Sequence, residues 1–389
     1  MVDFRISDEQ KLIIDNVRRL IREEIRPLEE ELDPDAFSLP PSEKDRLVSM
    51  VKEMGLYQMD VPTEYGGPGI DLVTRTLVAE ELSQHRAGLY APAYGVFGHG
   101  PPGQLYNATE EQKEKYLWPV IRGEKSAFFG LSEPSGGSDP ARAIKTRGIK
   151  DGDDWVINGG KLWNSGADTA DFGIVYVRTD PSKGREGISA FIVDTETPGF
   201  RVERLVQVLR AHYTTELSFT DMRIPSQNLL GEEGGGFALA NDYLSMQRIP
   251  YSATGLGVAI FAHEMAMDWA KQRETFGQPL ANRQAIQWML VDNEIDIRTG
   301  RWACLQAADL AHRGEPFRFE SSMAKLVATE GAGRVVDRSM QIFGGLGMSK
   351  DLPLERWYRE LRIRRIGEGP SEVQRIVMAR DLLNIRSGS

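Results

Sequence analysis

QIFGGLGMSKDLPLERWYRELRIRRIGEGPSEVQ, residues 341 to 374, is the stretch on which the reading of this chain turns. Gln341, Gly344, Gly345 and Gly347 form a glycine turn at the close of a helical period spanning 319 to 343; as a bare pattern, such a turn is a helix C-cap. Near the other end, Glu368 stands between Gly367 and Gly369, and Pro370 suits the first turn of a following helix. A glutamate there can serve only the helix dipole, the usual fate of such residues. In a dry pocket it can do more, because loss of water raises the basicity of a carboxylate.

Working outward, a second long helical period covers 283 to 313 and ends at Gly314. Upstream of the GEEGGG stretch the texture changes to short β-rich runs: SAFFGLSE, DWVINGGKLW, DFGIVYVRT, ISAFIVDTE and ELSFTDMRIP, separated by turn residues such as Asp151 to Asp154. These predict a small antiparallel β-domain. Earlier still, Ser7 with Gln10 makes a capping box, and Ile14, Val17, Ile21, Ile25 and Leu28 recur at helical spacing. Leu47, Met50, Val51 and Met54 repeat that pattern before Gly55, and Thr109 with Gln112 starts another helix, the loop DVPTEYGGPG lying between. The order is α, β, α, which places the chain in the α+β class. The expected domains are an N-terminal helical one (1–125), a middle β-domain (126–232) and a C-terminal helical bundle (233–389).

At 389 residues the chain exceeds what one hydrophobic core usually serves, and an apolar fraction of 41% is ordinary for a folded protein. Its 47 basic and 57 acidic residues leave a net charge of −10, which disfavours nonspecific binding to nucleic acid or anionic membrane but leaves room for a local basic pocket that holds phosphates. The single cysteine, Cys304, can form neither an internal disulfide nor a cysteine metal cluster, which fits a reducing, cytoplasmic setting. The start, MVDFRISDEQ, lacks the apolar core of a signal peptide, and no run of about 18 apolar residues suggests membrane insertion. There is no Walker loop, HExxH, paired metal-ligand cysteines or GxSxG elbow, so no metal site is expected.

Three segments remain: FFGLSEPSGGSDP (128–140), QRETFGQPL (272–280) and the opening stretch. Together they resemble the acyl-CoA dehydrogenase family, and the likeness runs from the N-terminal helices to MARDLL near the end. One family signature is matched by Gln341, Gly344, Gly345, Gly347, Met348, Asp351, Arg356 and Glu360; the other is matched from Gly130 to Asp139 and departs at Arg142, where the family has a small residue. The resemblance implies the family fold, FAD as cofactor, an acyl-CoA substrate, a homotetramer, and an electron-transferring flavoprotein as acceptor. An acyl-CoA oxidase, a nitroalkane oxidase or a non-catalytic partner subunit are the other readings the same fold allows.

The resemblance also distributes roles. It puts Phe129, Leu131 and Ser132 at the flavin and Ser138 on the coenzyme A arm, with Trp163 stacking on the isoalloxazine and Ser165 bonding its polar edge. Alone, these residues read as a turn and a core tryptophan. Arg273 and Phe276 would reach the FAD of a neighbouring subunit, Arg273 facing the pyrophosphate and Gln284 the adenine side; the competing reading is a solvated helix face. Gln341, Gly344 and Gly345 would pack against the adenosine part of the same FAD, and Pro370 and Glu372 lie at the cofactor. Glu368 takes the place of the base, with Arg248 and Gly369 at the substrate. Some relatives carry the base beside the helix arginine instead, but Gln247 precedes Arg248 here and cannot serve.

Two departures bear on substrate. The family's tyrosine before the base is Gly367 and its threonine is Pro370. A ring lost at 367 leaves space, which predicts a preference for branched or cyclic acyl groups unless Tyr90, Tyr94 or Phe97 fills it. In GLYAPAYGVFG, Tyr90 stands where the glutaryl-CoA enzyme carries its carboxylate-binding arginine, which speaks against a dicarboxylic acyl group.

Overall fold

A computed structural model describes residues 6–209 and 213–385; the first five residues, on which the signal-peptide reading rests in part, lie outside them. The chain divides into two compact units, one continuous (His99–Leu244) and one made of the two ends (Met1–Gly98 with Ser245–Ser389).

The continuous unit is built on an eight-stranded sheet in the order β6-β7-β3-β2-β4-β5-β8, with β1 beside β4. The strands are β1 (Ala127–Gly130), β2 (Arg147–Asp151), β3 (Asp154–Asn164), β4 (Phe172–Arg178), β5 (Ile188–Asp194), β6 (Phe200–Gln207), β7 (Tyr213–Pro225) and β8 (Leu229–Leu230). FGIVYVR and ISAFIVD are apolar on both faces and bury almost every residue, so they lie inside the sheet, whereas β6, in which charged and apolar residues mix and none is buried, forms an exposed edge. Most pairings are antiparallel as expected, but β1 runs parallel to β4 and β2 meets β4 in parallel at Arg147 and Arg178. Strand direction depends on how the connections cross, and short apolar runs carry no record of it. Trp155, Phe191, Val175 and Phe219 lie in the core. Gln112, from the capping box Thr109–Gln112, donates to Gln227 O and Leu229 O, which ties the helical segment of this unit to the sheet.

The two-ended unit is helical. The Ser7–Gln10 capping box forms with both bonds, and Ile14, Val17, Ile21 and Ile25 of the expected stripe are buried, with Leu28 partly so and Leu20 buried beside them. That helix widens to a π-turn over Leu20–Ile25, just ahead of Pro27, which cannot donate into the ladder. The C-terminal bundle comprises Gly236–Gln272 (whose first residues belong to the other unit), Gln284–His312, Arg318–Phe343, Leu354–Arg364 and Ser371–Leu382. Its two middle helices approach closely because Gly300 has no side chain: a Cβ there would stand 3.2 Å from Ala328 Cα. Arg334 and Arg338 both donate to Asp296 across the same seam. Among the described residues, no helix is long and apolar enough to cross a membrane.

Candidate active site

Glu368 sits in the turn between Leu354–Arg364 and Ser371–Leu382, with its backbone in the left-handed region (φ 55°), followed by Gly369 at φ 90°. An acidic side chain held this way is strained, so surrounding contacts have to impose it. Arg248 Nε donates to Glu368 O at 3.0 Å, and Gln374 Nε2 donates to Gly369 O at 2.9 Å. Ser371 N closes the turn on Arg365 O at 3.1 Å, and Ser371 Oγ donates to Glu330 at 2.7 Å. The backbone of the turn is therefore well bonded, while its carboxylate is not: Oε2 is out of solvent with no hydrogen-bond partner. Burial pushes the Glu368 carboxyl above its ordinary range, and Arg248, Arg364 and Lys325 only partly offset this. A basic, poorly solvated carboxylate in a fixed turn can take a proton from a weak carbon acid.

Three residues of this site went unnoticed in the sequence. Lys325 lies fully buried in the Arg318–Phe343 helix, its Nζ without a hydrogen-bond partner, and burial followed by repulsion from Arg248 brings it down to about 8. A lysine inside the small apolar run SSMAKLVA was the available signal. Arg364 is buried, with its guanidinium 3.8 Å from the Tyr251 ring centroid and 5.1 Å from that of Tyr90. Tyr251 is the third: its hydroxyl lies 2.7 Å from where a Cβ at Gly367 would be. The place beside Gly367 is thus taken by Tyr251, which the sequence reading did not consider. Tyr94 and Phe97 are buried in the N-terminal core.

In the continuous unit, the loop after β1 holds Ser132, half-buried, and Ser138, exposed. Its anchor is a buried ion pair: Lys161 Nζ to Glu133 Oε1 at 2.7 Å, with Nζ also 3.3 Å from Leu131 O. Glu133 further accepts from Lys145 N and Thr146 N. Burial lowers Lys161 to about 8. Phe129 packs its ring between Tyr176 and Tyr243, with centroids at 5.2 and 5.5 Å. At Trp163 the β3–β7 register slips by a bulge; the tryptophan has φ 69° and is 55% exposed, with Ser165 exposed close by. A large aromatic pushed outward by a bulge fits a planar ring ligand such as isoalloxazine better than it fits a core.

In the bundle, Arg273 precedes a hairpin of Glu274–Thr275 and Gln278–Pro279 whose two turn residues, Phe276 and Gly277, have φ 49° and 73°. Phe276 is 95% exposed at its tip. Arg273, Gln284, Gln341, Gly344, Gly345 and Glu372 are exposed too, and a Cβ on either glycine would meet nothing within 4 Å, which leaves room for a ligand.

Comparison with known proteins agrees across the chain. The family models for the N-terminal, middle and C-terminal domains of acyl-CoA dehydrogenase match residues 7–124, 128–222 and 234–383. The short-chain specific acyl-CoA dehydrogenase of Clostridium acetobutylicum is 37% identical, over 97% of this chain and 99% of its own. Butyryl-CoA dehydrogenase from Megasphaera elsdenii superposes with TM-score 0.85 at 33% identity, covering 98% of this chain and all of that one. A chain from a structure described as the electron transferring flavoprotein of Acidaminococcus fermentans gives TM-score 0.86 at 35% identity, over 98% of this chain and 100% of its own. Matched from end to end, and carrying a desolvated glutamate in the turn between its last two helices, the chain belongs to the acyl-CoA dehydrogenase family, whose FAD-dependent chemistry oxidises acyl-CoA thioesters to their 2-enoyl forms.

Proposed function

We propose that this enzyme dehydrogenates short acyl-CoA esters with Glu368 as its base, and the observation that carries this is the buried, hydrogen-bond-free Oε2 in a rigid turn. Glu368 accepts the proton from the carbon beside the thioester carbonyl, and the amide of its turn helps polarise that carbonyl. Arg248 holds the backbone of the base in place, Gly369 lets the thioester approach, and Ser138 meets the coenzyme A arm. When bound, FAD supplies the acceptor for the hydride that leaves the adjacent carbon. Phe129, Leu131, Ser132, Trp163 and Ser165 would hold its flavin end, with Pro370 and Glu372 close to the cofactor. Arg273, Phe276, Gln284, Gln341, Gly344 and Gly345 would hold the FAD of a second subunit. The preference for short chains rests on the 37% identical short-chain relative and on Tyr251 filling the place beside Gly367. The domains at 1–125, 126–232 and 233–389 are supported by the matched family models.

A homotetramer is the assembly that fits best. Trp288, Val291, Ile295 and Trp302 are all exposed at helical spacing on Gln284–His312, and Phe276 has no core of its own. Electron-transferring flavoprotein is the proposed acceptor, in line with the A. fermentans likeness, and the cytoplasm the proposed compartment. Anaerobic bleaching of the flavin by butyryl-CoA, stronger than by branched, cyclic, octanoyl or glutaryl esters, tests the reading. Absence of bleaching by every acyl-CoA, or rapid oxygen consumption during turnover, would overturn it.

A further inference from the structure

The helix Gly236–Gln272 presents two side chains, one turn apart, to the turn that carries the base: Arg248, bonded to Glu368 O, and Tyr251, whose hydroxyl stands 2.7 Å from a notional Cβ at Gly367. Residues three apart share a helix face, so one element delivers both. Tyr251 cannot easily swing away. Arg364 stacks on its ring at 3.8 Å, donates to Tyr251 O at 3.2 Å, and is itself bonded to Leu89 O. Glycine at 367 is then a steric requirement, since any side chain would begin inside the contact distance of a pinned phenol.

We propose that Tyr251 is the specificity-determining residue of this site. The aromatic wall beside the base comes from position 251 on the helix and not from position 367 in the turn, and it sets the length of acyl chain the enzyme accepts. The inference rests on the proposed placing of Glu368 as base. A wall carried on a helix backed by Arg364 is stiffer than one carried on a turn between glycines, so it excludes long linear tails by contact and favours short ones. The residue acts on the acyl group, not on the proton transfer.

The holoenzyme tests this in two ways. In Tyr251→Ala, kcat/KM for octanoyl-CoA relative to butyryl-CoA is expected to rise by about tenfold or more, the scale of one or more methylenes admitted to a pocket. Adding Gly367→Tyr to that variant should bring the ratio back towards wild type. An unchanged ratio in Tyr251→Ala, or no reversal in the double variant, overturns the proposal. The second readout needs no turnover. Gly367→Ala should lower the melting temperature in the wild-type background but not in Tyr251→Phe, where the nearest ring atom, Cζ, lies at an ordinary 3.7 Å. Equal destabilisation in both backgrounds also overturns it. If no acyl-CoA bleaches the wild-type flavin, the functional reading fails instead, and the melting comparison still reports on the contact.

Discussion

Two glutamates of the helical unit, Glu29, buried, and Glu368, half-buried with its Oε2 out of solvent, lie beside left-handed backbone and could hardly be treated more differently. Glu29 serves the loop that contains Ala93 and Tyr94, with φ 45° and 51°. It accepts from Arg86 N at 2.9 Å, Ala87 N at 3.1 Å and Tyr94 Oη at 2.8 Å, and His85 Nδ1 lies 2.8 Å away. His85 Nε2 in turn accepts from Ala93 N at 2.9 Å. Burial alone would raise Glu29, but His85 and these donors bring it down to about 2. Glu368 has no donor on Oε2, and burial wins. The number of donors aimed at a buried carboxylate therefore separates an acid that holds structure from one kept ready for chemistry.

The largest expected effect concerns the second of the pair. Glu368→Gln should reduce flavin bleaching by butyryl-CoA roughly ten-thousand-fold while keeping FAD and fold, as loss of an essential proton acceptor does. Near-normal bleaching would erase the contrast between the two glutamates. Glu29→Ala should do the reverse: a loss of about 3 kcal/mol in stability by urea unfolding, from orphaned donors in a buried network, with activity per folded molecule retained. If activity collapsed with stability intact, Glu29 would belong to the chemistry.

A pH series sharpens the comparison, because the two shifts have opposite signs. Glu29 is lowered, so its stabilisation is full above the ordinary carboxylate range and fades as pH falls towards about 2. Glu368 is raised, so its protonated form fits the fold better, and the folded state loses stability as pH rises through the raised value. Melting temperature against pH should show a smaller acid loss in Glu29→Gln, since Glu133, Asp296 and Glu330 are held low as well, and Glu368→Gln should gain on wild type as pH rises. Two parallel curves would contradict this. The smallest effect is expected from Lys325→Met. Removing a cation near Glu368 disfavours the carboxylate, so the acid limb of the bleaching rate should move to higher pH by less than about one unit. A shift to lower pH would mean that Lys325 does not act through charge.

What was legible in the sequence was local. Capping boxes, glycine stops and alternating runs involve residues a few positions apart, and they were read almost as they fold. Glu368 stood out only through the resemblance of GEGPSEVQ to the family's motif; its flanking glycines and proline by themselves fit a helix-dipole role as well. Tyr251 and Gly367 are far apart along the chain, as are Lys325 and Glu368, and neither pairing has a spacing rule to reveal it. Nothing local set Tyr251 apart, and the occupants the sequence suggested for the space at Gly367 were Tyr90, Tyr94 and Phe97. The parallel course of β1 beside β4 was hidden in the same way.

The division of the chain into a continuous unit and one made of both ends has a consequence for its synthesis. The sheet unit is continuous in sequence, so all of its residues have been made once synthesis passes residue 244, and it can begin to fold while the ribosome is still at work. The N-terminal helices leave the ribosome first but finish last. Val17, Ile21 and Ile25 can cluster with Leu47 and Val51 at once, whereas Leu72 waits for Ile249 and Cys304, and Leu89 for Val258 and Trp357. A nascent chain arrested near residue 244 should expose that unfinished apolar face, and the cell's chaperones would meet it there.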